Sequence, residues 1–545
     1  MLTKDIIKLC INKVTGVHLV NDVIINENFF SCRICVDAGI KGILEWDVEI
    51  YSLYPFKSFG HESISFKNPT LLEYPHIMEG GVLCMHTSVY DDAEIQLIYD
   101  LEQLKEWVKD YYINEKKDSH YEHLVVNHIT NRGEFNCFFF AETESVFEND
   151  DFGVMSYTPL LNGVKDGIIV NNWLVQYFKS YIHKKTDNWC KISSTYKHLQ
   201  SFIGLYCIFS ESPSSYNKFI INDYQAIEQL FTKQQKDFIA KIIFNWTGQN
   251  LRVPLFCGYK IQNGEMHWQT MVLYTNNLPI DFAYLNVTRA PLFKQGSIEW
   301  GITENISYNY FFGRGAMPLK LAKKRMLIIG VGAVGSILAE TLTRCGAKNL
   351  TLYDFDAKEP GNVCRSSYNF YTGISEKTLN LVDILCGISP HLECHILPTN
   401  FDLIIKSTAA KGENKSDLIK LLNNYDIIFD CTTDNQLMQI VDTIGISSIV
   451  VNVSITNYAQ DLVCVFSPNV VKTVSFIYGI LNRNSDKDLY NPTGCWSPTF
   501  KASYNDISCL VQFAIGHIIK MLSKTEAQTS FYITNENDNL KMYRI

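Results

Sequence analysis

The sequence predicts a multidomain chain, an α+β region first and a parallel α/β region last. Three observations predict it. At 545 residues the chain exceeds a single core, given ~150 residues per domain. Leu44–Tyr51 alternates apolar and polar residues with the period of two that marks a half-buried strand. From about residue 306, apolar strand-like runs alternate with helical stretches. These divide the chain into 1–150, 151–305 and 306–545.

Hydrophobic residues make up 46% and charged residues 19%, which supplies apolar surface for several cores and excludes wholesale disorder. Lys and Arg total 48 against 57 Asp and Glu, a net charge of −9 with no block of like charges; no direct nucleic-acid binding is expected. The opening MLTKDIIKLCINKV lacks an apolar h-region and cleavage site, and no run approaches ~18 apolar residues. A soluble cytoplasmic protein without membrane binding is the expectation. Sixteen scattered cysteines fit reduced thiols, most of them buried as small hydrophobes. Cys32-Arg33-Ile34-Cys35 falls in a strand, where residues three apart face opposite sides, and it lacks the second pair that zinc requires.

In order along the chain, the strand through Trp46 belongs to an antiparallel meander. Ile95, Leu97, Ile98, Leu101, Leu104, Trp107 and Val108 then recur at three and four residues, one buried face of a helix. Residues 151–305 are rich in aromatic and β-branched side chains and carry no motif that implies chemistry. Met326–Ile329, Leu350–Tyr353, Asp426–Phe429 and Ile449–Val453 read as parallel strands. Gly330-Val331-Gly332-Ala333-Val334-Gly335 follows the first of these and opens a helix to about Thr343. Gly330, Gly332 and Gly335 permit a tight turn, and the helix N-terminus offers N–H groups to phosphate. Asp354, ending the next strand, is placed to accept ribose hydroxyls in a Rossmann-like unit. An NAD enzyme would show the same features to this point.

The continuation from Asp354 to Arg365 adds Asn362 and Arg365, an amide and a guanidinium suited to a triphosphate. Lys377 opens a helix ending near Ser389-Pro390, and the strand Asp426–Phe429 leads into Asp430-Cys431-Thr432-Thr433-Asp434-Asn435. This ordered set resembles the ubiquitin-activating (E1, ThiF) family and its sulfur-carrier-adenylating bacterial relatives. The resemblance implies ATP and Mg²⁺ as cofactors. Asp354 would hold the ribose, Asn362 and Arg365 the phosphates, Lys377 the α-phosphate, and Asp434 the metal. Such charge neutralisation is what carboxylate attack on an α-phosphate needs. The extra Thr in the TDN turn and one extra residue between Gly373 and Lys377 depart from the family pattern. Cys495, in the Gly/Pro-punctuated segment Asn491–Phe500, occupies the place of the family's catalytic thiol. A packed loop cysteine is the competing reading, and Cys509 reads as helix core.

Tyr54-Pro55-Phe56-Lys57 followed by Tyr74-Pro75-His76-Ile77-Met78-Glu79-Gly80-Gly81-Val82-Leu83-Cys84-Met85 resembles the active-site segment of ubiquitin-conjugating (E2) enzymes. Cys84 would be the acyl-carrying thiol. His76 stands eight residues before it, where the family usually has an asparagine that stabilises the oxyanion; histidine can donate that bond or accept an amine's proton. A loop histidine and a structural cysteine are the bland alternatives, and Glu79 and His86 read as solvated loop residues. Both resemblances in one chain look like the bacterial E2–E1 fusions of CBASS anti-phage operons. That implies a partner protein with a reactive C-terminus, a cGAS-like nucleotidyltransferase, joined to a target lysine amine by a C2 homodimer. Sulfur-carrier adenylation, a NAD-dependent oxidoreductase and a non-catalytic scaffold are the rival readings.

Overall fold

Leu44, Trp46, Val48 and Ile50 point inward and their neighbours outward, as the alternation requires. The computed structural model describes residues 2–545 except 59, 86–89, 119, 124–127, 142–146, 189–199, 247–250, 263, 286–287, 413, 482–500, 525–527 and 537–538. The described residues divide into two units, 2–188 with 200–305, and 306–545.

In the first unit, β1 (Phe29–Asp37), β2 (Ile43–Tyr51) and β3 (Ile64–Lys67) form an antiparallel meander. Helices α1 (Lys4–Lys13) and α2 (Ala93–Trp107) pack on it. Asp92 caps α2 by accepting the N–H groups of Glu94 and Ile95 at 2.8 and 3.1 Å. Leu97, Leu101, Leu104 and Trp107 are buried, but Ile95 lies outside the stripe at 54% exposure. The inner face takes Asp100 instead, whose Oδ2 accepts the Tyr54 hydroxyl at 2.7 Å and so holds the Tyr54-Pro55 turn. Trp46 meets Trp107 edge to face at 5.5 Å. Cys32 is buried, its thiol pushed up to about 11 by that burial, and Cys35 is half-buried.

After β4 (Glu122–His123) the unit builds a second sheet from β5 (Phe135–Phe140), β6 (Phe152–Pro159), β7 (Ile168–Ser180), β8 (Phe202–Ile208), β10 (Arg252–Lys260), β11 (Met266–Tyr274) and β12 (Trp300–Asn305). Its hydrogen-bonded path runs β7–β5–β12–β11–β10–β8–β6 and returns to β7, closing a barrel. Closure removes free strand edges. Phe138, Tyr157 and Phe256 fill it at centroid separations of 5.2–5.9 Å, and α3 (Lys233–Asn245) covers one side. The short strand β9 (Lys218–Phe219) pairs with β4 in parallel.

The second unit is an eight-stranded sheet. Strands β13 (Arg325–Ile329), β14 (Asn349–Tyr353), β15 (Glu393–Ile396), β16 (Ile427–Asp430) and β17 (Ile449–Thr456) are parallel in the order β15–β14–β13–β16–β17. Antiparallel β18 (Asp461–Phe466), β19 (Phe531–Glu536) and β20 (Asn539–Arg544) extend it. Helices α4 (Ala333–Arg344), α5 (Lys377–Ile388) and α10 (Tyr504–Leu522) share one apolar cluster with the sheet. Helices α6 (Phe401–Lys411), α7 (Lys415–Leu422), α8 (Asn435–Thr443) and α9 (Val470–Ile480) share another. This is a doubly wound fold, and the chain order reverses at β13, where ligands of such sheets bind. On α10 the buried positions Ile507, Leu510, Val511, Ala514 and Ile518 follow the helical period. That period turns Cys509 to solvent, so the expectation of a core cysteine fails. No described helix is long and apolar enough to cross a membrane.

Candidate functional sites

The glycine turn between β13 and α4 is built from three different constraints. Gly330 has φ +83, and a Cβ there would lie 2.9–3.0 Å from Thr432 and Cys431. A Cβ on Gly335 would lie 1.9 Å from the Gly330 carbonyl oxygen. At Gly332, the N-cap of α4, a Cβ would meet nothing within 4 Å. Gly332 thus leaves open space before a helix N-terminus with no side-chain cap, which suits a phosphate.

Asp354 closes β14 beside this turn. Its Oδ2 accepts the Val331 N–H at 2.9 Å and its Oδ1 that of Asp356, also at 2.9 Å. Burial raises the Asp354 carboxyl above the usual range, with Lys377 opposing. Lys377, the first residue of α5, pairs with Asp356 at 2.5 Å. Asn362 sits on the helical turn Pro360–Val363, its Oδ1 accepting the Glu359 N–H at 2.9 Å, and Arg365 N–H donates to the Asn362 carbonyl. Asp434 ends the β16 turn. It accepts Gln436 N–H at 2.8 Å and Leu437 N–H at 3.1 Å, capping α8, and pairs with Lys406 at 2.7 Å. The Lys406 bond and these amides outweigh desolvation and hold its carboxyl low. A single carboxylate beside phosphates fits Mg²⁺, which is commonly held by one or two carboxylates plus substrate oxygens. Replacing Asp434 by Ala removes the α8 cap, and thermal unfolding is expected to register a loss of about 1 kcal/mol.

The second site is the loop after β3. Ile77 and Leu83 form a bridge, Leu83 N–H donates to Phe66 O at 2.8 Å, and Cys84 N–H donates to His76 O at 2.7 Å. Gly81 has φ +80, and a Cβ there would strike the Asn68–Pro69 backbone at 2.4–2.6 Å. The loop therefore sets Cys84 beside His76 through the main chain. His76 has φ +64, and its N–H donates to Glu122 Oε1 and Oε2 at 2.7 and 3.0 Å. Its Nε2 lies 2.9 Å from Asp118 and 3.2 Å from the Tyr111 hydroxyl, and Nδ1 lies 3.3 Å from Glu122. The ring is thus oriented by two carboxylates that sequence reasoning did not single out. Burial, with Glu122 and Glu62 adding, raises the Cys84 thiol. A high-pKa thiol holds an acyl group as a less labile thioester, because the thiolate leaves less readily. Among the described residues, His76, Asp118 and Glu122 are the grouping whose geometry could take a metal, and Asp434 stands outside it.

Cys495 and His86 lie outside the described residues. Two residues that sequence reasoning missed are lysines at 0–1% exposure. Lys358 donates to Asn369 O at 2.7 Å and to Thr372 Oγ1, tying the segment before Lys377. Lys218 reaches the Cys84 loop. Neither carries a local sequence signal, because burial of one lysine is decided by distant strands.

A family model described as the ThiF family matches residues 306–502, so the second unit carries a ThiF domain. The ATP-dependent ubiquitin transferase-like protein Cap2 of Enterobacter hormaechei is 26% identical over 238 residues, 42% of this chain and 38% of Cap2. The molybdopterin-synthase adenylyltransferase of Escherichia coli is 30% identical over 113 residues, 21% of this chain and 41% of that protein. Ubiquitin-like modifier-activating enzyme 5 of Dictyostelium discoideum is 35% identical over 106 residues, 19% of this chain and 28% of the enzyme. The chain spans less than half the length of each of these relatives. The crystal structure of E. coli MccB with ATP aligns with 42% of this chain and 64% of its own, at 16% identity and a TM-score of 0.30.

Proposed function

With the ThiF domain as premise, we propose that this chain activates a partner protein's C-terminal carboxylate with ATP and ligates it to a target amine. The observation that carries the reading is the convergence at the β13, β14 and β16 ends. There an uncapped helix N-terminus with open space at Gly332, a ribose-type aspartate and two Lys–Asp pairs stand at the same ends of the sheet. The E2-like motif around Cys84, together with similarity to a ubiquitin transferase-like protein, supports residues 1–150 as an E2-like domain, 151–305 connecting and 306–545 as the E1-like adenylation domain. The partner would be a cGAS-like nucleotidyltransferase in anti-phage defence, and the enzyme a cytoplasmic homodimer.

In this reading the partner carboxylate attacks the α-phosphorus of ATP, and the bond to pyrophosphate breaks. Mg²⁺ at Asp434 would supply charge neutralisation on the phosphates. The α4 N-terminus, Asn362 and Arg365 hold the triphosphate, and Asp354 holds the ribose. Lys377 swings from Asp356 to the α-phosphate, where charge develops. The Cys495 thiolate then attacks the acyl carbon and AMP leaves, its phosphate taking the negative charge. Cys84 takes the acyl group in turn by thiol exchange and returns the proton to Cys495. Finally the amine attacks the Cys84 thioester, the C–S bond breaks, and the departing Cys84 thiolate takes up the amine's proton, in a loop that His76 anchors through its main chain and the carboxylates of Asp118 and Glu122.

The test is expression with the neighbouring genes, denaturation without reductant, and mass spectrometry. A thiol-labile adduct on Cys84 that vanishes in Cys495→Ala is expected, and its C-terminal peptide names the partner. An adduct on Cys495 with none on Cys84 would favour sulfur-carrier adenylation. Nicotinamide binding without ATP–pyrophosphate exchange would favour the oxidoreductase. Full biological activity of Cys495→Ala would favour the scaffold.

A further inference from the structure

We infer that Lys218 is a positioning residue for the Cys84 loop, supplied by the part of the chain that otherwise looks like a connector. The inference rests on the reading that Cys84 carries an acyl group. Lys218 is 1% exposed on β9, which pairs in parallel with β4 so that Lys218 faces Glu122. Its ammonium donates to Tyr74 O at 2.9 Å and to Ile77 O, and lies 3.3 Å from Glu122 Oε2. Those two carbonyls bracket His76, and Glu122 in turn accepts the His76 N–H. One cation thus fixes both sides of the histidine whose own carbonyl takes the Cys84 N–H.

Two neighbours reinforce the clamp. Tyr216 stacks on Tyr74 at 5.1 Å and 17°, and the Asn217 side-chain amide donates to Asp118 O at 2.6 Å. Asp118 is the carboxylate against His76 Nε2. Tyr216 and Asn217 both adopt positive φ, 47° and 65°, to present these contacts. Three consecutive residues therefore touch the backbone or ring of Tyr74 and Ile77, which flank His76, and the two carboxylate residues Asp118 and Glu122 that orient its ring. Burying an ammonium is costly, and a well-packed apolar side chain would serve stability as well. The cation's return is geometric: it sets two carbonyls that an apolar group could not hold. Misplacing a reacting group by about 1 Å costs on the order of a hundredfold in rate.

The experiment uses the full chain with Lys218→Met, which keeps the apolar stem and removes the ammonium. Hydrogen exchange of the 74–84 peptide reports the loop without any substrate and is expected to quicken at least about tenfold. Cys84 charging should stay within about twofold of wild type, while discharge to free lysine falls by about ten- to a hundredfold. A purely structural lysine would lower charging and discharge together. Wild-type exchange of the loop in a folded Lys218→Met protein, or wild-type discharge, overturns the inference. If Lys218→Met does not fold, Lys218→Gln is the second variant, its shorter amide unable to span both carbonyls, with the same expected quickening and the same reversal. Should wild-type Cys84 take no acyl group at all, the proposed function fails, while the exchange measurement still decides whether Lys218 holds the loop.

Discussion

Gly335→Ala is expected to abolish adenylation, and Gly332→Ala, three residues earlier in the same turn, to leave the fold intact. The contrast follows from what each new methyl meets. At Gly335 the Cβ would lie 1.9 Å from the Gly330 carbonyl oxygen and 3.4 Å from the Cys431 side chain. No flexible side-chain end is available to move, so the β13 turn itself must shift. Gly330 cannot yield freely, because it is packed at positive φ against Thr432 and Cys431 of the β16 turn. Overpacking against fixed backbone costs about 3 kcal/mol or more. Thermal unfolding should show that loss, and ATP–pyrophosphate exchange should fall below detection. At Gly332 the methyl enters open space, so the melting temperature should not move. The same methyl occupies the approach to the α4 amides, and KM for ATP should rise at least about tenfold. A Gly335→Ala protein with normal exchange would show that the turn does not hold the nucleotide.

The parts legible in the sequence are those governed by short-range rules. Three of the four predicted parallel strands end within a residue of their expected limits and the fourth runs three residues further, to Thr456, because a short apolar run in an α/β sheet has few alternatives. Lys377 opens its helix as expected, and Asp434, at the end of the β16 turn, caps α8. The Cys84 loop was legible as a motif, but its chemistry was not. Asp118 and Glu122 lie 42 and 46 residues beyond His76, and no local pattern joins them. The barrel was illegible for a related reason: closure depends on β7 pairing with both β5 and β6, a long-range choice that leaves ordinary aromatic strands behind. Ile95 and Cys509 show the limit of periodicity. It names a face, but which face is buried is set by what lies across it.

Mild acid is expected to destabilise the first unit well before the carboxylates titrate. Burial depresses His123 to about 4 and His267 to about 3, from ordinary values near 6.5. The rings stand 5.1 Å apart, edge to face, and charge on His123 further opposes protonation of His267, as His128 opposes that of His123. In the unfolded chain both take a proton near pH 6.5; in the folded chain neither does until the pH is far lower. Between those values the unfolded state binds more protons, so stability is complete above about pH 6.5 and falls as the pH falls. At pH 5 each histidine contributes a loss of about 2 kcal/mol, set by the unfolded value and not by how far burial carries the folded one. Glu49, Asp118 and Glu134, whose carboxyls are held low, add their own losses only nearer pH 4. Seven of the eight tryptophans fall within residues 1–305, so tryptophan emission follows this unit. Urea unfolding at pH 7.5 and pH 5 should differ by at least about 4 kcal/mol, with His128, also lowered by burial, adding in the same direction, and His123→Gln should recover about 2 kcal/mol of it. An unchanged midpoint at pH 5 would mean that these rings are solvated in the folded chain, against the packing of His267 on Tyr121, Tyr259 and Gln269 and of His123 on His267.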